Sequence, residues 1–316
     1  MRFGFPGRNT RGEMMIIAKT ISSYFHFHIC DVSSIMLVSR LIHKNLVYKV
    51  ETIMNKTYAV KVFLQGNTAA IRFRNELVSP YILVTEGAHF QTMPYSIAIK
   101  MSNDSVYGIL VRPWVSGTSY TEILGQDYNE FMRKQLPQIR ACCEDLWNTP
   151  MQIIGPNNGF RGHVKTKIDL SSNESSMWES CDVFQELLEI YISKQPACQV
   201  MCLVNNDFSL HEFITDETNA LFIIDWEGLC IGNPYSDIAG VYFSFFQRVV
   251  NLCSEKKLYE LTECFLMQFK VKQMNDFIHF WVERILLASL VVSEPDYQPK
   301  AQAALKIIRK LESRNG

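Results

Sequence analysis

The stretch Leu203-Val-Asn-Asn-Asp-Phe-Ser-Leu-His-Glu-Phe-Ile214 decides the fold of this protein, together with Leu221-Phe-Ile-Ile-Asp-Trp-Glu227 shortly after it. In each stretch a short apolar run ends at an aspartate in a polar segment, Asp207 in the first and Asp225 in the second. Short apolar runs bounded by polar turns are typical of buried β-strands. The two aspartates are 18 residues apart, across a predicted hairpin, so the fold can bring both carboxylates to one cleft.

Two such acids suit phosphoryl transfer. One acid orients and deprotonates the hydroxyl of an acceptor, and the other holds Mg²⁺ on the phosphates of the donor. A single aspartate in a loop is more often a turn or cap residue. Asp207 and Asp225 differ from that common case because of the strands and the particular residues that flank them.

These flanking residues resemble the aminoglycoside phosphotransferase and choline kinase family. Asn206-Asp-Phe208 matches the centre of the family's catalytic loop, and Ile224-Asp-Trp-Glu227 matches its metal-binding motif. Gly232-Asn-Pro234 and Asp237-Ile-Ala239 match the tail of that motif, with Asn233 where the family usually has Asp. The resemblance implies an α+β, bilobal, protein-kinase-like fold, with a small, mainly β N-lobe that has one helix and a larger, mainly α C-lobe.

The resemblance also implies a role for each acid. Asp207 is expected to be the catalytic base, and Asp225 is expected to bind Mg²⁺ that bridges the phosphates of ATP. Asp237 is expected to be structural and to accept hydrogen bonds that brace the catalytic loop. The function implied is an ATP-dependent phosphotransferase that acts on a hydroxyl of a small molecule.

The catalytic loop departs from the family pattern at two positions. Asn205 stands where the family usually has His, and it could hydrogen-bond in place of that His. Glu212 stands where an Asn normally binds Mg²⁺; a carboxylate is also a hard oxygen ligand, although it adds negative charge. These departures leave open a second hypothesis, a weakly active or inactive kinase-like protein that binds a ligand or partner.

The first half of the chain contains candidate nucleotide-binding residues. Tyr58-Ala-Val-Lys61 resembles the strand whose lysine holds the α- and β-phosphates, although a lysine on an apolar strand is more often an exposed edge residue. Glu76, on a predicted helix, could pair with Lys61. Arg72, Arg74 and Asn75, which are expected to be surface neighbours of Glu76, compete for this pairing.

Two further segments resemble parts of a nucleotide site. The stretch 41–50 resembles the nucleotide loop, with Asn45 at the place where the family often has Asn, but the family's glycines are missing. Backbone amides cradle phosphate best where glycine permits close approach. Backbone groups from Arg112 to Val115 are expected to meet adenine, and Trp114 is either a stacking partner of adenine or a core residue.

The hydrophobic pattern gives the expected elements and domains. It predicts helices over 15–29, 67–78, 127–147 and 179–194, strands over 58–63, 97–101, 106–112 and 200–204, and amphipathic helices from 236 to the end. The expected division is 1–30 as a flexible lead with a short helix, 31–113 as the N-lobe and 114–316 as the C-lobe. The irregular segment 150–178 is either an insertion or a lid.

Composition narrows the class of protein. The net charge is −1, whereas nucleic-acid binders usually carry a basic excess, so no nucleic-acid partner is expected. The chain has no run of 18 apolar residues, so no membrane span is expected. Nine cysteines without a CxxC pair suit a reducing compartment, and cytoplasm is the expected location. The sequence leaves the oligomeric state open.

The acceptor is expected to bind between the 118–195 region and the helices after residue 240. Residues 241–316 contain eleven Lys and Arg against eight Asp and Glu, a balance that does not favour a polycationic antibiotic. Aromatic residues there could form a cage for a choline-like cation, but at helical spacing they are more often core. These aromatic residues are Tyr235, Tyr242, Phe243, Phe245, Phe246, Trp281 and Tyr297. A neutral sugar, an amino alcohol and another metabolite hydroxyl all remain open.

Overall fold

A computed structural model describes residues 10–41, 45–66, 68–83, 87–101, 106–150, 181–196, 201–290 and 294–315. The chain divides into two compact units, one with residues 1–73 and 93–115 and the other with residues 74–92 and 116–316. The sequence analysis assigned all of 31–113 to one lobe, but residues 74–92 group with the second unit. The bridge between Gln91 and Phe222 is one of the contacts that attach this segment there.

The first unit is built on a five-stranded antiparallel sheet with the order β1-β2-β3-β5-β4. A helix precedes this sheet in the chain. The elements are α1 (Thr10–His28), β1 (Val32–Leu41), β2 (Asn45–Thr52), β3 (Thr57–Leu64), β4 (Ile97–Lys100) and β5 (Val106–Pro113).

One face of α1 packs on this sheet. Ile17, Ile21 and Phe25 repeat every four residues and are buried, which is the spacing that places side chains on one face of a helix. They form a cluster with apolar residues of β2, β3 and β5. The helix was predicted over 15–29, and it begins earlier, at Thr10.

Helix α2 (Ala69–Ile82) begins in the first unit and ends in the second. Phe73 packs edge-on against Phe63, with 5.4 Å between the ring centroids. The predicted end at residue 78 was too early, because the helix continues through Pro80. Proline costs a helix the hydrogen bond of its missing N–H, but here the last turn is closed by the Leu83 amide, which donates to the Ser79 carbonyl at 3.0 Å.

The second unit is mainly helical, with short strands around the candidate catalytic residues. Its strands are β6 (Thr118–Ser119), β7 (Cys202–Val204), β8 (Phe213–Thr215), β9 (Leu221–Ile223) and β10 (Cys230–Gly232). Its helices are α3 (Tyr120–Gln126), α4 (Leu136–Asn148), α5 (Asp182–Ser193), α6 (Tyr235–Val249), α7 (Glu255–Gln268), α8 (Met274–Ser289) and α9 (Glu294–Asn315). A short helix (Tyr128–Glu130) and a π-helical turn (Phe131–Gln135) lead into α4.

A large apolar core holds the second unit together, and it draws residues from α3 to α9. The strands form two small sheets, β10-β7 and β6-β8-β9. Beyond Pro150, the segment predicted to be an insertion or a lid lies outside the described residues. Within the described part of the chain, no helix is both long enough and apolar enough to cross a bilayer.

Candidate active site

Asp207 lies in the loop that follows β7, which pairs with β10 and ends at Val204. Asn206 takes a left-handed backbone conformation with φ of 58°, which Asn tolerates better than most residues. This turn carries the chain into Asp207, whose side chain is 43% exposed. The predicted base is therefore accessible to a substrate.

Asp237, on the first turn of α6, accepts hydrogen bonds from the backbone of this loop. One of its carboxylate oxygens accepts a hydrogen bond from the Asn206 amide at 2.7 Å. The other accepts from the Asn205 amide at 3.3 Å and from Trp147 Nε1 at 3.0 Å. Burial raises the pKa of Asp237 to about 6, against the opposing effect of these N–H donors and of the Arg284 charge. The predicted structural role of Asp237 is confirmed.

Asp225 directly follows Ile224 at the end of β9 and has a φ of 82°. This left-handed conformation is costly for a residue with a Cβ, and such strained residues cluster at functional sites. The Asp225 carbonyl accepts a hydrogen bond from Asn205 Nδ2 at 3.1 Å. Asn205 therefore ties the two candidate acidic segments together, in the bracing role expected of it.

Gly228 allows these two segments to come close. A Cβ at this position would lie 2.3 Å from the Asn205 carbonyl oxygen and 3.1 Å from the Cβ of Asp207. The first distance is too short for any side chain. A glycine is therefore required where the segment after Asp225 passes the catalytic loop.

Glu212 lies at the same end of the β8–β9 hairpin as Asp225. Its carbonyl accepts from the amide of Ile224, the residue before Asp225, at 3.0 Å. The Glu212 side chain is buried and takes part in a capping box with Ser209, whose amide donates to Glu212 Oε2 at 3.4 Å. The other oxygen, Oε1, lies 3.8 Å from His211 Nε2. The carboxylate is thus partly engaged by its own helical turn.

The second half of α2 is attached to the segment that carries Asp225. Glu76 Oε2 accepts a hydrogen bond from the Trp226 amide at 2.7 Å. Asn75 Nδ2 donates to the carbonyls of Glu227 at 3.2 Å and Leu229 at 2.8 Å. Both side chains are buried. Glu76 therefore orients the backbone directly after Asp225, a role that its sequence position did not reveal.

Two predicted nucleotide-binding residues lie in the sheet of the first unit. Lys61 is on β3, opposite Val47 of β2 and Leu110 of β5. Lys61 is buried, and its Nζ lies 5.4 Å from the centre of the Phe63 ring. Asn45 begins β2 and is buried as well. Lys61 is thus on a central strand, and its pairing with Glu76 stays a prediction.

Arg112 and Trp114 lie at the end of β5 in the first unit. The Trp114 amide donates to the Thr57 carbonyl at 3.0 Å, so this amide already has an acceptor. The Trp114 ring is half-buried, with Lys49 Nζ 5.8 Å from its centre. The Arg112 guanidinium lies against the Tyr95 ring, 5.9 Å from its centre.

The donor set is suited to Mg²⁺. Asp225 and Glu212 supply carboxylate oxygens, and the hairpin brings both residues to one end of the sheet. Mg²⁺ is usually held by one or two carboxylates together with substrate phosphates and waters. The described residues contain no group of three or more His, Cys, Asp or Glu that would hold a metal ion without a substrate.

Four of the aromatic residues of the C-terminal helices are fully buried core residues, whereas Phe243 is partly buried. The exposed fraction is 0% for Tyr242, Phe245 and Trp281 and 1% for Phe246. Tyr242 packs edge-on against Trp281, with 4.8 Å between the ring centroids. A quaternary ammonium ion has no access to these rings, so they do not support a choline-type acceptor.

The sequence analysis missed three residues that support the catalytic segments, namely Asn75, Trp147 and Arg284. Arg284 Nη1 lies 3.3 Å from Asp207 Oδ1, although 77 residues separate the two in the chain. A charge within the apolar run of α8 was the one signal that could have identified Arg284. Asn75 and Trp147 carry no comparable signal.

Known proteins resemble this chain in structure but not in sequence. No protein-family model matches the sequence, and no curated protein matches it significantly. Solved structures match over most of the chain. A thermostable mutant of aminoglycoside phosphotransferase APH(4)-Ia, in a ternary complex with ADP and hygromycin B, is 12% identical with a TM-score of 0.63. That match covers 92% of this chain and 98% of the other.

A second group of similar structures carries GDP. Wild-type aminoglycoside 2'-phosphotransferase-IIIa with GDP is 14% identical, with a TM-score of 0.62, and the match covers 95% of this chain and 99% of the other. A complex of APH(2")-IIIa with GDP and kanamycin is also 14% identical, with a TM-score of 0.63 and coverage of 95% and 100%. The chain therefore has the kinase-like fold of these phosphotransferases, and the predicted fold class is confirmed.

Proposed function

We propose that this protein is an ATP-dependent phosphotransferase that moves the γ-phosphate to a hydroxyl of a small molecule. One observation carries the proposal: Asn205 braces both candidate acids at once. Its backbone amide is fixed by Asp237 two residues before Asp207, and its side chain holds the Asp225 carbonyl. Such a shared brace connects the backbones of the two segments that carry the acids, and catalysis by positioning requires a fixed backbone.

The proposed reaction is a single displacement at phosphorus. Asp207 accepts a hydrogen bond from the acceptor hydroxyl and takes its proton as the oxygen attacks. A bond forms between that oxygen and the γ-phosphorus, and the bond from the γ-phosphorus to the β-bridging oxygen breaks, which releases ADP. Most of the catalytic effect in such transfers comes from positioning and electrostatic stabilisation.

Asp225 and Glu212 are proposed as the residues that hold Mg²⁺, which when bound neutralises charge on the phosphates. Lys61 is proposed to hold the α- and β-phosphates. Glu76 is proposed to contribute through the Trp226 amide, next to Asp225. Asn45, Arg112 and Trp114 are proposed to contact the nucleotide.

The acceptor is proposed to be a small molecule that carries a hydroxyl group. The similar structures contain hygromycin B and kanamycin, which are such molecules. The basic excess in residues 241–316 favours a neutral or weakly charged acceptor over a polycation. The buried aromatic core removes the argument for a quaternary ammonium.

The first test is turnover of Mg·ATP with a panel of sugars, amino alcohols, other hydroxyl metabolites and aminoglycosides. We expect turnover with at least one acceptor and a loss of about a hundredfold or more in kcat for Asp207→Ala. Glu217→Ala is the matched control, because Glu217 is an exposed acid in the turn between β8 and β9, and it should keep wild-type kcat. Equal rates in wild type and Asp207→Ala for every acceptor would contradict the proposal.

A kinase-like binding protein is the second candidate, and one observation favours it. Glu212 replaces the usual metal-binding Asn, and its carboxylate is partly engaged in the capping box with Ser209. A metal site weakened in this way would bind nucleotide without transferring phosphate. Binding of Mg·ATP without turnover of any acceptor would select this candidate.

A further inference from the structure

Arg284 is a charged residue on α8, a helix that is mostly buried and that also carries the buried residues Asp276, His279 and Glu283. Its neighbours on α8 include Phe277, Trp281 and Ile285, each of them 0% exposed. The Arg284 side chain itself is only 12% exposed. Removing a guanidinium from water is costly unless the charge is paired and hydrogen-bonded. Such a residue on a core helix therefore points to a specific partner.

Both ends of the guanidinium fork contact the catalytic loop. Nη1 donates to Asp207 Oδ1 at 3.3 Å, and Nη2 donates to the carbonyl of Asn206. Gly240 lies against the same loop, because a Cβ there would lie 2.9 Å from the Phe208 carbonyl oxygen. The planar fork of arginine suits two contacts in fixed directions, which lysine cannot make together.

These contacts restrict the motion of the Asp207 side chain. The Asp207 side chain is 43% exposed, and an exposed carboxylate on a loop can turn between rotamers. Arg284 fixes the backbone just before Asp207 and one of the two carboxylate oxygens. The second oxygen, Oδ2, is not held by this contact.

We propose that Arg284 is a positioning residue, which holds the Asp207 carboxylate in the orientation that the transfer requires. This inference rests on the proposed phosphotransferase function, since it concerns the same base. It adds a residue that acts through Asp207 and does not touch the reacting atoms. Misplacement of a reactive group by about 1 Å can cost about a hundredfold in rate.

The kinetic test compares Arg284→Gln and Arg284→Lys with wild type. We expect Arg284→Gln to lower kcat by roughly ten- to a hundredfold and to change the KM for ATP by less than about twofold. Free guanidinium ion at millimolar concentration should restore part of kcat in Arg284→Gln and nothing in Asp207→Ala. Arg284→Lys keeps the charge and the buried stem but not the fork, so it should also be slow. Arg248→Gln, a change at an exposed arginine of α6, is the matched control.

A second readout does not depend on turnover. The side-chain carboxyl carbon of Asp207 can be followed by ¹³C NMR in protein labelled at aspartate and assigned by its loss in Asp207→Asn. We expect this signal to move in Arg284→Gln and to return toward its wild-type position when guanidinium ion is added. Thermal unfolding of each variant shows whether it is folded, and Arg284→Lys serves if Arg284→Gln is not.

The outcomes separate this inference from the proposed function. An unmoved Asp207 signal in both arginine variants overturns the inference, whether or not the wild type is active. Wild-type kcat in both variants, or a loss confined to the KM for ATP, overturns it as well. A wild type that turns over no acceptor while the Asp207 signal responds to Arg284 and to guanidinium contradicts the proposed function and leaves the positioning contact established.

Discussion

At the scale of single residues, the buried carboxylate of Asp237 holds a loop by hydrogen bonds, although its burial opposes ionisation and so lowers stability at neutral pH. It accepts hydrogen bonds from the Asn205 and Asn206 amides and from Trp147, and it is fully buried. These donors and the Arg284 charge favour the ionised form, but burial has the larger effect and raises the pKa of Asp237 from 3.8 to about 6. The loop is thus held by a group whose ionisation at neutral pH is opposed by its surroundings.

The raised pKa predicts a specific pH dependence. Because the pKa is higher in the folded than in the unfolded state, the contribution of Asp237 to stability is greatest below about pH 4 and is lost as the pH rises through 6. The loss is about 3 kcal/mol by pH 7. Asp237→Asn cannot titrate. The difference in unfolding free energy between wild type and Asp237→Asn, measured with urea, should therefore shift by about that amount in favour of the variant between pH 4 and 7.

The outcome that contradicts this prediction is also clear. A difference between the two proteins that stays constant over this pH range would mean that Asp237 has an ordinary pKa in the folded state. Asp216→Asn is the control, because Asp216 lies in the exposed turn after β8 and caps that turn. Its pKa is lowered chiefly by the hydrogen bond from the Thr218 hydroxyl and further by these backbone donors. The stability of wild type relative to Asp216→Asn should therefore not fall between pH 4 and 7.

At the scale of elements, α2 is the helix whose role the sequence described least well. Its periodicity predicted a helix, and the expectation was that Glu76 would face Lys61. The pairing of Glu76 with Lys61 stays a prediction, and in the second unit the side chains of Asn75 and Glu76 hydrogen-bond to the backbone of residues 226–229. The helix thus acts as a support for the segment that begins at Asp225.

This support makes Asn75 a test position. Asn75→Ala removes the donor to two buried carbonyls, those of Glu227 and Leu229. Leaving buried acceptors without a donor typically costs about 1–3 kcal/mol, so we expect a loss of this size in the unfolding free energy and a weaker apparent affinity for Mg²⁺. Chemical denaturation and titration of turnover with Mg²⁺ measure the two effects.

Val78→Ala provides the control on the same helix. Val78 is 40% exposed, so its truncation should change stability by less than about 0.5 kcal/mol and leave the response to Mg²⁺ unchanged. If Asn75→Ala behaves like Val78→Ala in both measurements, α2 does not support the Asp225 segment.

At the scale of the whole molecule, the described residues form two large hydrophobic cores beside a small cluster at Cys202, Val204 and Cys230. One joins α1 to the sheet of the first unit, and the other joins helices α3 to α9 of the second. The candidate acids Asp207, Glu212 and Asp225 belong to the second unit, whereas Lys61 and Asn45 belong to the first.

Binding of Mg·ATP should stabilise the whole protein. A ligand present at a hundred times its Kd stabilises the folded state by about 2.7 kcal/mol, and we expect the Tm to rise accordingly. Adding EDTA, or changing Asp225→Asn, should remove most of this rise, since Asp225 is the proposed metal ligand. Glu217→Gln should keep it. The same rise with ATP in EDTA as with Mg·ATP would contradict the metal role of Asp225.

Features that depend on neighbouring residues in the chain could be predicted from the sequence, whereas features that depend on distant residues could not. The strands before Asp207 and Asp225, the helix after Gly232 and the bracing by Asn205 and Asp237 followed from short motifs, because local propensity and hydrophobic period are encoded in neighbouring residues. The helix starts and the end of α2 were less accurate, since caps and a proline in a last turn depend on weak local terms. The short helix α3 was not foreseen.

By itself, the sequence determined the bilobal kinase-like fold and the two acids that carry the proposed chemistry, because each motif is a contiguous run whose residues act together. Only the tertiary structure decided which distant side chains support those acids. Arg284 reaches Asp207 and Asn75 reaches Leu229 across 77 and 154 residues of chain. Such contacts form when helices pack around a common core. The order of residues in a short stretch of sequence does not specify which side chain will then contact which loop.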